Sequence, residues 1–143
     1  MKLKEVVTRD VAIIRPEDSL FDAARKMRAY DVGALPVCQG ERLIGVITDR
    51  DLALRAVAEG LDPRAARVRD AMSTELLSMT GETDIKEAAR QMLERHERRI
   101  IVVDGEKRPI GVVSLRDVAL VPGGEALAGE IYAALAHQPA GRH

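Results

Sequence analysis

Aromatic side chains are almost absent from this chain. Of its 143 residues only Phe21, Tyr30 and Tyr132 are aromatic, and there is no tryptophan. Proteins that bind single-stranded nucleic acids usually stack bases on aromatic rings, and that platform is missing here. The chain also has no large excess of charge of one sign. Its 22 lysines and arginines nearly balance 23 aspartates and glutamates, which leaves a net charge of −1, and both signs are mixed along the chain. We therefore expect no nucleic-acid partner.

Cysteine and long apolar runs are equally scarce. Cys38 is the single cysteine, which excludes an internal disulfide and is typical of the cytoplasm, the compartment we expect. Its surroundings, Leu35-Pro36-Val37-Cys38, contain no neighbouring base, so we predict a small buried residue and not a reactive thiol. No apolar run approaches the ~20 residues of a membrane span, and no apolar signal core follows the N-terminal residues. We expect no membrane partner.

Signatures of catalysis and metal binding are also lacking. His96, His137 and His143 are scattered, and the chain has neither a histidine pair at i,i+4 nor a pair of cysteines, so we predict no metal site. There is no Gly-x-Ser-x-Gly motif and no Gly-Lys-Ser/Thr phosphate loop. No nucleophile–base pair is visible. We therefore predict no catalytic residue, no enzyme activity and no required cofactor.

What the chain does contain is a duplicated motif. Residues 45–51 read Gly-Val-Ile-Thr-Asp-Arg-Asp, and residues 111–117 read Gly-Val-Val-Ser-Leu-Arg-Asp. Each copy predicts a β-branched strand that stops at the start of a helix, with Thr48 or Ser114 as N-cap. Asp51 or Asp117 then falls in the first helical turn, where a negative charge is favoured. One copy would indicate only a capped helix, but two copies in matching surroundings favour a function for the motif beyond helix capping.

The duplication extends over most of the chain. A shift of 65 residues places the first half on the second, and one extra residue near Arg108 makes the shift 66 thereafter. We assign residues 6–60 to repeat one, 61–69 to a linker, 70–121 to repeat two, and 125–143 to a C-terminal helix and tail. Each repeat is predicted as strand, helix, strand, strand, helix. Because about 50 residues cannot bury enough apolar surface alone, the repeats should pack on each other with a pseudo-twofold axis.

The predicted elements of repeat one begin with a strand at residues 11–14. A helix with a Ser19/Asp22 capping box follows, and its buried face is predicted to comprise Leu20, Ala23, Ala24 and Met27. Strands at 35–38 and 43–47 form a hairpin, a helix covers 49–59 and ends at Gly60, and residues 63–67 after Asp62 form one helical turn.

Repeat two follows the same plan. It is predicted to have a strand at 76–79, a helix with Asp84 and Glu87 as capping pair and Ile85, Ala88, Ala89 and Met92 buried, strands at 100–103 and 110–113, and a helix from Leu115 to about 122. A last amphipathic helix, 125–136, places Leu127, Ile131 and Leu135 on one side, and residues 138–143 are predicted as a frayed tail.

This order of elements, with Thr8 or Ser73 opening each unit, resembles a tandem cystathionine-β-synthase-type (CBS) domain over residues 6–119. The strongest parts are the two motif copies and the strand Ala34-Leu35-Pro36-Val37. Residues 42–63 further resemble the stand-alone two-repeat proteins of bacteria. Repeat two departs from the family pattern at Ile101, where proline is usual, and at Leu115. The resemblance implies an α/β (α+β) fold of two β-α-β-β-α repeats, packed as a CBS pair.

The resemblance also implies a regulatory ligand of the adenosine type, namely AMP, ADP, ATP, S-adenosylmethionine or NAD, in clefts between the repeats. The residues suit such a ligand, because an ionised Asp51 or Asp117 can accept both vicinal ribose hydroxyls. Thr48 or Ser114 can reach the ribose or a phosphate, and the helix start adds N–H donors for phosphate. Adenine would lie against aliphatic strand residues such as Ile47 or Val113.

Within the family, each cleft is implied to combine the motif of one repeat with the start of the second strand of the other. In repeat two that strand is preceded by Arg98-Arg99. We therefore expect the cleft of Thr48 and Asp51 to hold these two arginines and to favour phosphorylated ligands, since guanidinium groups bind phosphate in a fork. The alternative is that both arginines pair with Glu94 or Glu97 and contact no ligand.

The resemblance finally implies a homodimer through helix faces, with twofold symmetry. Leu52, Ala53 and Ala56 are the aliphatic residues predicted to remain for that contact. A protein effector is a further expected partner. The alternative function is a structural or partner-binding homodimer whose clefts stay empty.

Overall fold

The computed structural model describes residues 1–7 and 11–137, and the chain divides into two compact units. The repeat-one unit is Ala12–Leu76, and the repeat-two unit combines Met1–Val11 with the chain from Leu77 onward. Thr8 and the predicted tail, residues 138–143, lie outside the described residues. The mixed α/β fold class predicted from the sequence is confirmed.

The repeat-one unit is a helix packed on a β-hairpin. Its elements are α1 (Leu20–Tyr30), β1 (Ala34–Gln39), β2 (Arg42–Thr48) and α2 (Asp49–Asp51), which continues as a π-helical segment (Leu52–Val57), followed by a 3₁₀ turn (Val68–Asp70). The predicted hairpin is confirmed, with β1 and β2 antiparallel. The predicted cap of α1 is confirmed as well, because the Ser19 hydroxyl accepts a hydrogen bond from the Asp22 N–H at 3.0 Å.

Two details of repeat one differ from the prediction. The predicted strand at residues 11–14 is reduced to one parallel bridge between Ile14 and Val37, because the chain turns away directly afterwards, where the Asp18 N–H bonds the Arg15 carbonyl. Ala24 is exposed, while Leu20, Ala23 and Met27 are buried. The buried stripe of α1 therefore follows the spacing i, i+3, i+7 and is narrower than predicted.

The core of the repeat-one unit extends into the segment that follows the hairpin. Val68 is fully buried in it together with Leu35 and Ile47. Residues 63–67 are predicted as one helical turn, and residues 63–65 form a turn in which the N–H groups of Ala65 and Ala66 donate to the Asp62 carbonyl at 3.1 and 2.8 Å. The Asp62 carboxylate also accepts the Arg64 N–H at 3.0 Å. Cys38 is 0% exposed, as predicted, and burial raises the pKa of its thiol.

The repeat-two unit has a three-stranded sheet covered by helices. Its elements are β3 (Ser78–Thr80), α3 (Ile85–Arg95), β4 (Arg99–Val103), β5 (Pro109–Ser114), α4 (Leu115–Leu120) and α5 (Gly124–Ala136). β3 is parallel and β5 antiparallel to the central β4. The predicted buried face of α3 is confirmed at all four positions: Ile85, Ala88, Ala89 and Met92. In α5, Ile131 and Leu135 are buried and Leu127 is partly buried.

Glu87 does not complete the predicted capping pair of α3. Asp84 caps the helix by accepting the Lys86 N–H at 2.8 Å. The Glu87 carboxylate instead bonds Arg90 at 2.6 Å, one turn further along the same helix. An arginine at i+3 reaches a carboxylate directly, so it competes with the backbone N–H for the same oxygen.

The N-terminal segment packs on the repeat-two unit. Leu3 is fully buried in its core with Met92 and Val113, and the Leu3 N–H donates to the Thr83 carbonyl at 2.9 Å. The ammonium groups of Lys2 and Lys4 each lie 2.6 Å from the Glu82 carboxylate and lower the pKa of Glu82 to about 2. Residues 1–5 are therefore held by one buried side chain and a surface charge cluster.

Candidate functional site

In repeat one, the hydroxyl–aspartate motif forms a reciprocal capping box at the end of β2. The Thr48 hydroxyl accepts the Asp51 N–H at 3.1 Å, and Oδ2 of Asp51 accepts the Thr48 N–H at 2.9 Å. The Asp51 side chain is 16% exposed. One carboxylate oxygen is thus committed to the helix start, which fixes the direction in which the other oxygen points.

Repeat two builds the same arrangement at the end of β5. Oδ2 of Asp117 accepts the Ser114 N–H at 2.7 Å and the Ser114 hydroxyl at 3.0 Å. Within residues 1–7 and 11–137, Oδ1 of Asp117 makes no hydrogen bond or ion pair. The residues predicted to act together are therefore together in each repeat, and Asp117 keeps one acceptor oxygen open.

The backbone N–H groups at the helix starts are less available than the sequence indicated. In repeat one, the N–H of Asp49 donates to the Gly33 carbonyl, that of Arg50 to the Asp49 carboxylate, and that of Asp51 to Thr48. In repeat two the Leu115 N–H donates to the Arg98 carbonyl at 2.9 Å. These four amides already bond acceptors within the protein, which makes them poorer phosphate donors than the sequence indicated.

Ile47 and Val113 do not lie on the same face as the motif. Each is 0% exposed and packs into the core of its own unit. Successive strand residues point to opposite sides, so the residue directly before Thr48 or Ser114 faces inward. The predicted contact of these two side chains with adenine is therefore corrected. The partly exposed face carries residues 44 and 46 in repeat one, and 110 and 112 in repeat two.

Arg98 and Arg99 lie beside the motif of their own repeat. Arg99 is the register partner of Ser114 in the β4–β5 pair, just as Ala34 is the partner of Thr48. Within their own unit the two arginines lie beside Ser114, and the expectation that they also accompany Thr48 and Asp51 stays a prediction. Of the two proposed partners, Glu94 is bonded by Arg90 at 3.0 Å.

The glycine that begins the repeat-one motif, Gly45, lies where the backbone of β2 approaches the backbone of Ser73 closely. The N–H and carbonyl of Val46 bond the carbonyl and N–H of Ser73, both at 2.9 Å. A Cβ added to Gly45 would lie 2.8 Å from the Ser73 carbonyl oxygen. Only glycine leaves room for this bridge. The sequence alone did not reveal this requirement, because nothing in it showed which segment pairs with β2.

Gly45→Ala is therefore expected to destabilise the protein by about 1–3 kcal/mol, the usual cost of forcing a methyl group into a packed site. Urea unfolding followed by circular dichroism measures this loss. Gly105→Ala is the matched control, since its Cβ would meet nothing within 4 Å. Equal midpoints for the two variants would show that the Gly45–Ser73 approach is not tight.

A cavity of about 570 Å³ opens in the repeat-two unit beside β5. Its apolar walls include Val103, Pro109 and Ile110, and Lys4 and Asp104 contribute charged groups. Ile110, Val112 and Ser114 are alternate residues of β5 and share its partly exposed face. The cavity therefore lies about 13 Å along the same face from the motif, at ~3.3 Å per strand residue.

Two units of the same plan, each placing a capped hydroxyl–aspartate motif at the end of a hairpin, define a protein built from a tandem α/β repeat. The chain belongs to the CBS domain family, whose profile matches residues 3–57 and 68–123. CBS pairs are regulatory modules, and the family resemblance seen in the sequence is confirmed.

Similar proteins include other short CBS chains. CBS domain-containing protein YhcV of Bacillus subtilis is 35% identical over 136 residues, covering 95% of this chain and 96% of its own. Hypoxic response protein 1 of Mycobacterium tuberculosis is 32% identical over 117 residues, covering 81% of each chain. The crystal structure of Hypoxic Response Protein I with two coordinated zinc ions matches with a TM-score of 0.75 and 31% identity, over 85% of this chain and 100% of the other.

A further solved structure shares the fold at lower identity. The CBS domain pair of protein MJ0100, in complex with 5′-methylthioadenosine and S-adenosyl-L-methionine, matches with a TM-score of 0.77 and 21% identity, over 87% of this chain and 98% of the other.

Among the described residues of the present chain, no helix is long and apolar enough to cross a membrane. The same residues include no cluster of three or more His, Cys, Asp or Glu side chains that could hold a metal ion.

Proposed function

We propose that this protein is a non-catalytic regulatory module that binds an adenosine-type ligand at the hydroxyl–aspartate motif of one or both repeats. The observation that carries the proposal is the open Oδ1 of Asp117, at the end of an apolar strand face that leads to a cavity. The candidate ligands are AMP, ADP, ATP, S-adenosylmethionine and NAD. The MJ0100 complex supports this class, since that CBS pair holds two adenosine compounds.

The chemistry of the repeat-two motif suits a nucleoside. An ionised carboxylate oxygen can accept more than one hydrogen bond, so Oδ1 of Asp117 can take both ribose hydroxyls while Oδ2 stays with the helix start. The base would then extend along Val112 towards the cavity at Ile110. The distance along the strand, about 13 Å, is sufficient for an adenosine.

The test is thermal unfolding against the five candidate ligands. A ligand that binds only the folded state adds RT ln(1 + [L]/Kd), which is about 2.7 kcal/mol at 100 times Kd. We expect at least one of the five to raise the unfolding temperature, and nucleotide analysis after incubation to recover it unchanged. If none raises the unfolding temperature at millimolar concentration, ligand binding is contradicted, while chemical turnover would contradict the non-catalytic assignment.

The second candidate function, a partner-binding homodimer, is favoured by exposed apolar side chains. Leu52 and Ala56, predicted to face a second copy, pack against their own core instead. Leu54 is 49% exposed on the following helical segment, and Leu120, 66 residues later, is 72% exposed in repeat two. Each unit thus presents a leucine at the matching position of its second helix. A second copy of the chain has the same apolar side chains to offer.

We therefore expect light scattering at micromolar concentration to give twice the monomer mass. Leu54→Glu combined with Leu120→Glu should reduce the mass to that of one chain, because a charge would be buried in the contact. Lys86→Glu, an exposed change on α3, is the control. A wild-type protein with the monomer mass would exclude the homodimer.

We propose that phosphorylated ligands prefer the repeat-two motif; a preference carried by the motif of Thr48 and Asp51, as the family resemblance implies, is the alternative. Arg98 and Arg99 lie beside Ser114, and bonds from guanidinium to phosphate contribute about 1.5–3 kcal/mol each when desolvated, less at an exposed position. In an Asp51→Asn background, calorimetry should give tighter binding of AMP than of adenosine. Arg98→Ala/Arg99→Ala should remove that difference. An unchanged AMP preference in the double variant would exclude both arginines from the phosphate site.

A further inference from the structure

Arg55 connects the repeat-one motif to a neighbouring backbone segment. Its Nη1 donates to the Met72 carbonyl at 3.2 Å and lies 3.5 Å from the Ala71 carbonyl. Its Nε lies 3.8 Å from Oδ1 of Asp51, one helical turn earlier. All four residues belong to the repeat-one unit, and the arginine side chain itself is 55% exposed.

These contacts fix both sides of the repeat-one motif. Oδ2 of Asp51 is held by the Thr48 N–H, and the guanidinium of Arg55 stands beside Oδ1. The segment that Arg55 bonds leads directly to Ser73, whose backbone is bridged to Val46 on β2. The same side chain therefore contacts both the Asp51 carboxylate and the adjacent chain segment.

Among the described residues of repeat two, no arginine takes the equivalent position. The residue 66 positions after Arg55 is Val121, and its backbone is extended because α4 has already ended at Leu120. Repeat one instead continues through residues 52–57, where the bond from the Ala58 N–H to the Ala53 carbonyl spans five residues. Local π-helical geometry often accompanies functional positions, and here it carries the helical segment past Arg55.

We propose that Arg55 is a positioning residue of the repeat-one ligand site, which orients Asp51 for the ribose and holds residues 71–73 against the motif. The inference rests on the proposed function. Nη1 and Nε already face protein oxygens, so Arg55 acts on the ligand through Asp51. Its loss should therefore weaken adenosine and AMP binding by the same factor, whereas a direct contact with phosphate would weaken AMP alone.

The experiment uses the full chain in an Asp117→Asn background, so that the repeat-one motif dominates the signal. Calorimetry with adenosine and with AMP is compared for Arg55, Arg55→Ala and Arg55→Lys. We expect Arg55→Ala to weaken both ligands about 10-fold, which corresponds to one lost charge-assisted interaction. Arg55→Lys should recover part of the loss, since an ammonium restores the positive charge beside Asp51 but not the several N–H donors of the guanidinium.

Arg28→Ala is the matched control, because Arg28 is an exposed arginine of the same unit and should leave both affinities unchanged. A larger loss for AMP than for adenosine would assign Arg55 to the phosphate and overturn the positioning role. Unchanged affinities in Arg55→Ala, or no binding in the Asp117→Asn background, would also overturn it. If the wild-type protein binds neither adenosine nor any of the five candidate ligands, it is the proposed function that fails. If Arg55→Ala does not fold, the affinities for adenosine and AMP are compared in Arg55→Lys and Arg55→Gln instead. Equal losses for the two ligands support the positioning role, and a larger loss for AMP overturns it.

Discussion

Replacing Asp51 and Asp117 together by asparagine is expected to lower the affinity for adenosine-type ligands at least 100-fold. Each carboxylate offers charged acceptors to the ribose hydroxyls, and hydrogen bonds to a charged group contribute about 1.5–3 kcal/mol each. Each ~1.4 kcal/mol of lost binding free energy lowers the affinity 10-fold. Calorimetry with the ligand that stabilises the wild-type protein most measures the effect.

Asparagine is the informative substitution because of the capping boxes. The amide oxygen of Asn can still accept the N–H of Thr48 or Ser114, bonds that measure 2.9 and 2.7 Å with the native carboxylates. Alanine would remove the cap as well, at about 0.5–2 kcal/mol per helix, so lost binding could reflect lost structure. The charge near the helix start by itself contributes only ~0.3–1 kcal/mol, so the lost cap is the larger cost of alanine.

Asp49→Asn is the control for this experiment. Asp49 precedes Asp51 by two residues and is exposed, and its carboxylate bonds only the N–H of Arg50 among the contacts of the described residues. We expect wild-type affinity in this variant. Wild-type affinity in the Asp51→Asn/Asp117→Asn protein as well would remove the motif from the binding site.

Gly124→Ala should cause a large loss of stability, about 3 kcal/mol or more, because the residue has no room for a side chain. A Cβ at this position would overlap the carbonyl oxygen of Val118 and lie 2.8 Å from a methyl group of Val121. Relief would require the end of α4 to separate from the start of α5. Since α4 begins directly after Ser114, such a shift would also disturb the repeat-two motif.

The same helix provides a control of opposite sign. Gly129 lies in the interior of α5, where an added Cβ meets nothing within 4 Å. Gly129→Ala should stabilise the protein by about 0.5–1 kcal/mol, because alanine costs less backbone entropy in a helix. Urea unfolding of both variants tests the pair of predictions. A loss under 1 kcal/mol for Gly124→Ala would show that α4 and α5 are not packed as closely as described.

The sequence by itself determined the features that depend on neighbouring residues. The hairpins, the buried face of α3 and the caps at Ser19, Thr48 and Ser114 follow from periodicity and from hydrogen bonds over three residues. The duplication is also visible in backbone detail, since Asp31 and His96, 65 residues apart, both end their helices in the left-handed conformation. Similar local sequences therefore end the corresponding helices of the two repeats in the same way.

Tertiary structure decided everything that depends on which distant segment lies alongside. Strand pairing placed Arg99 beside Ser114. The alternation of side chains along β2 turned Ile47 into the core. The reach of Arg55 to residues 71–72, and the burial of Leu3 in the repeat-two unit, join positions that no local pattern connects. Contacts between distant residues are selected by the packing of the whole unit, so they could not be read from spacing along the chain.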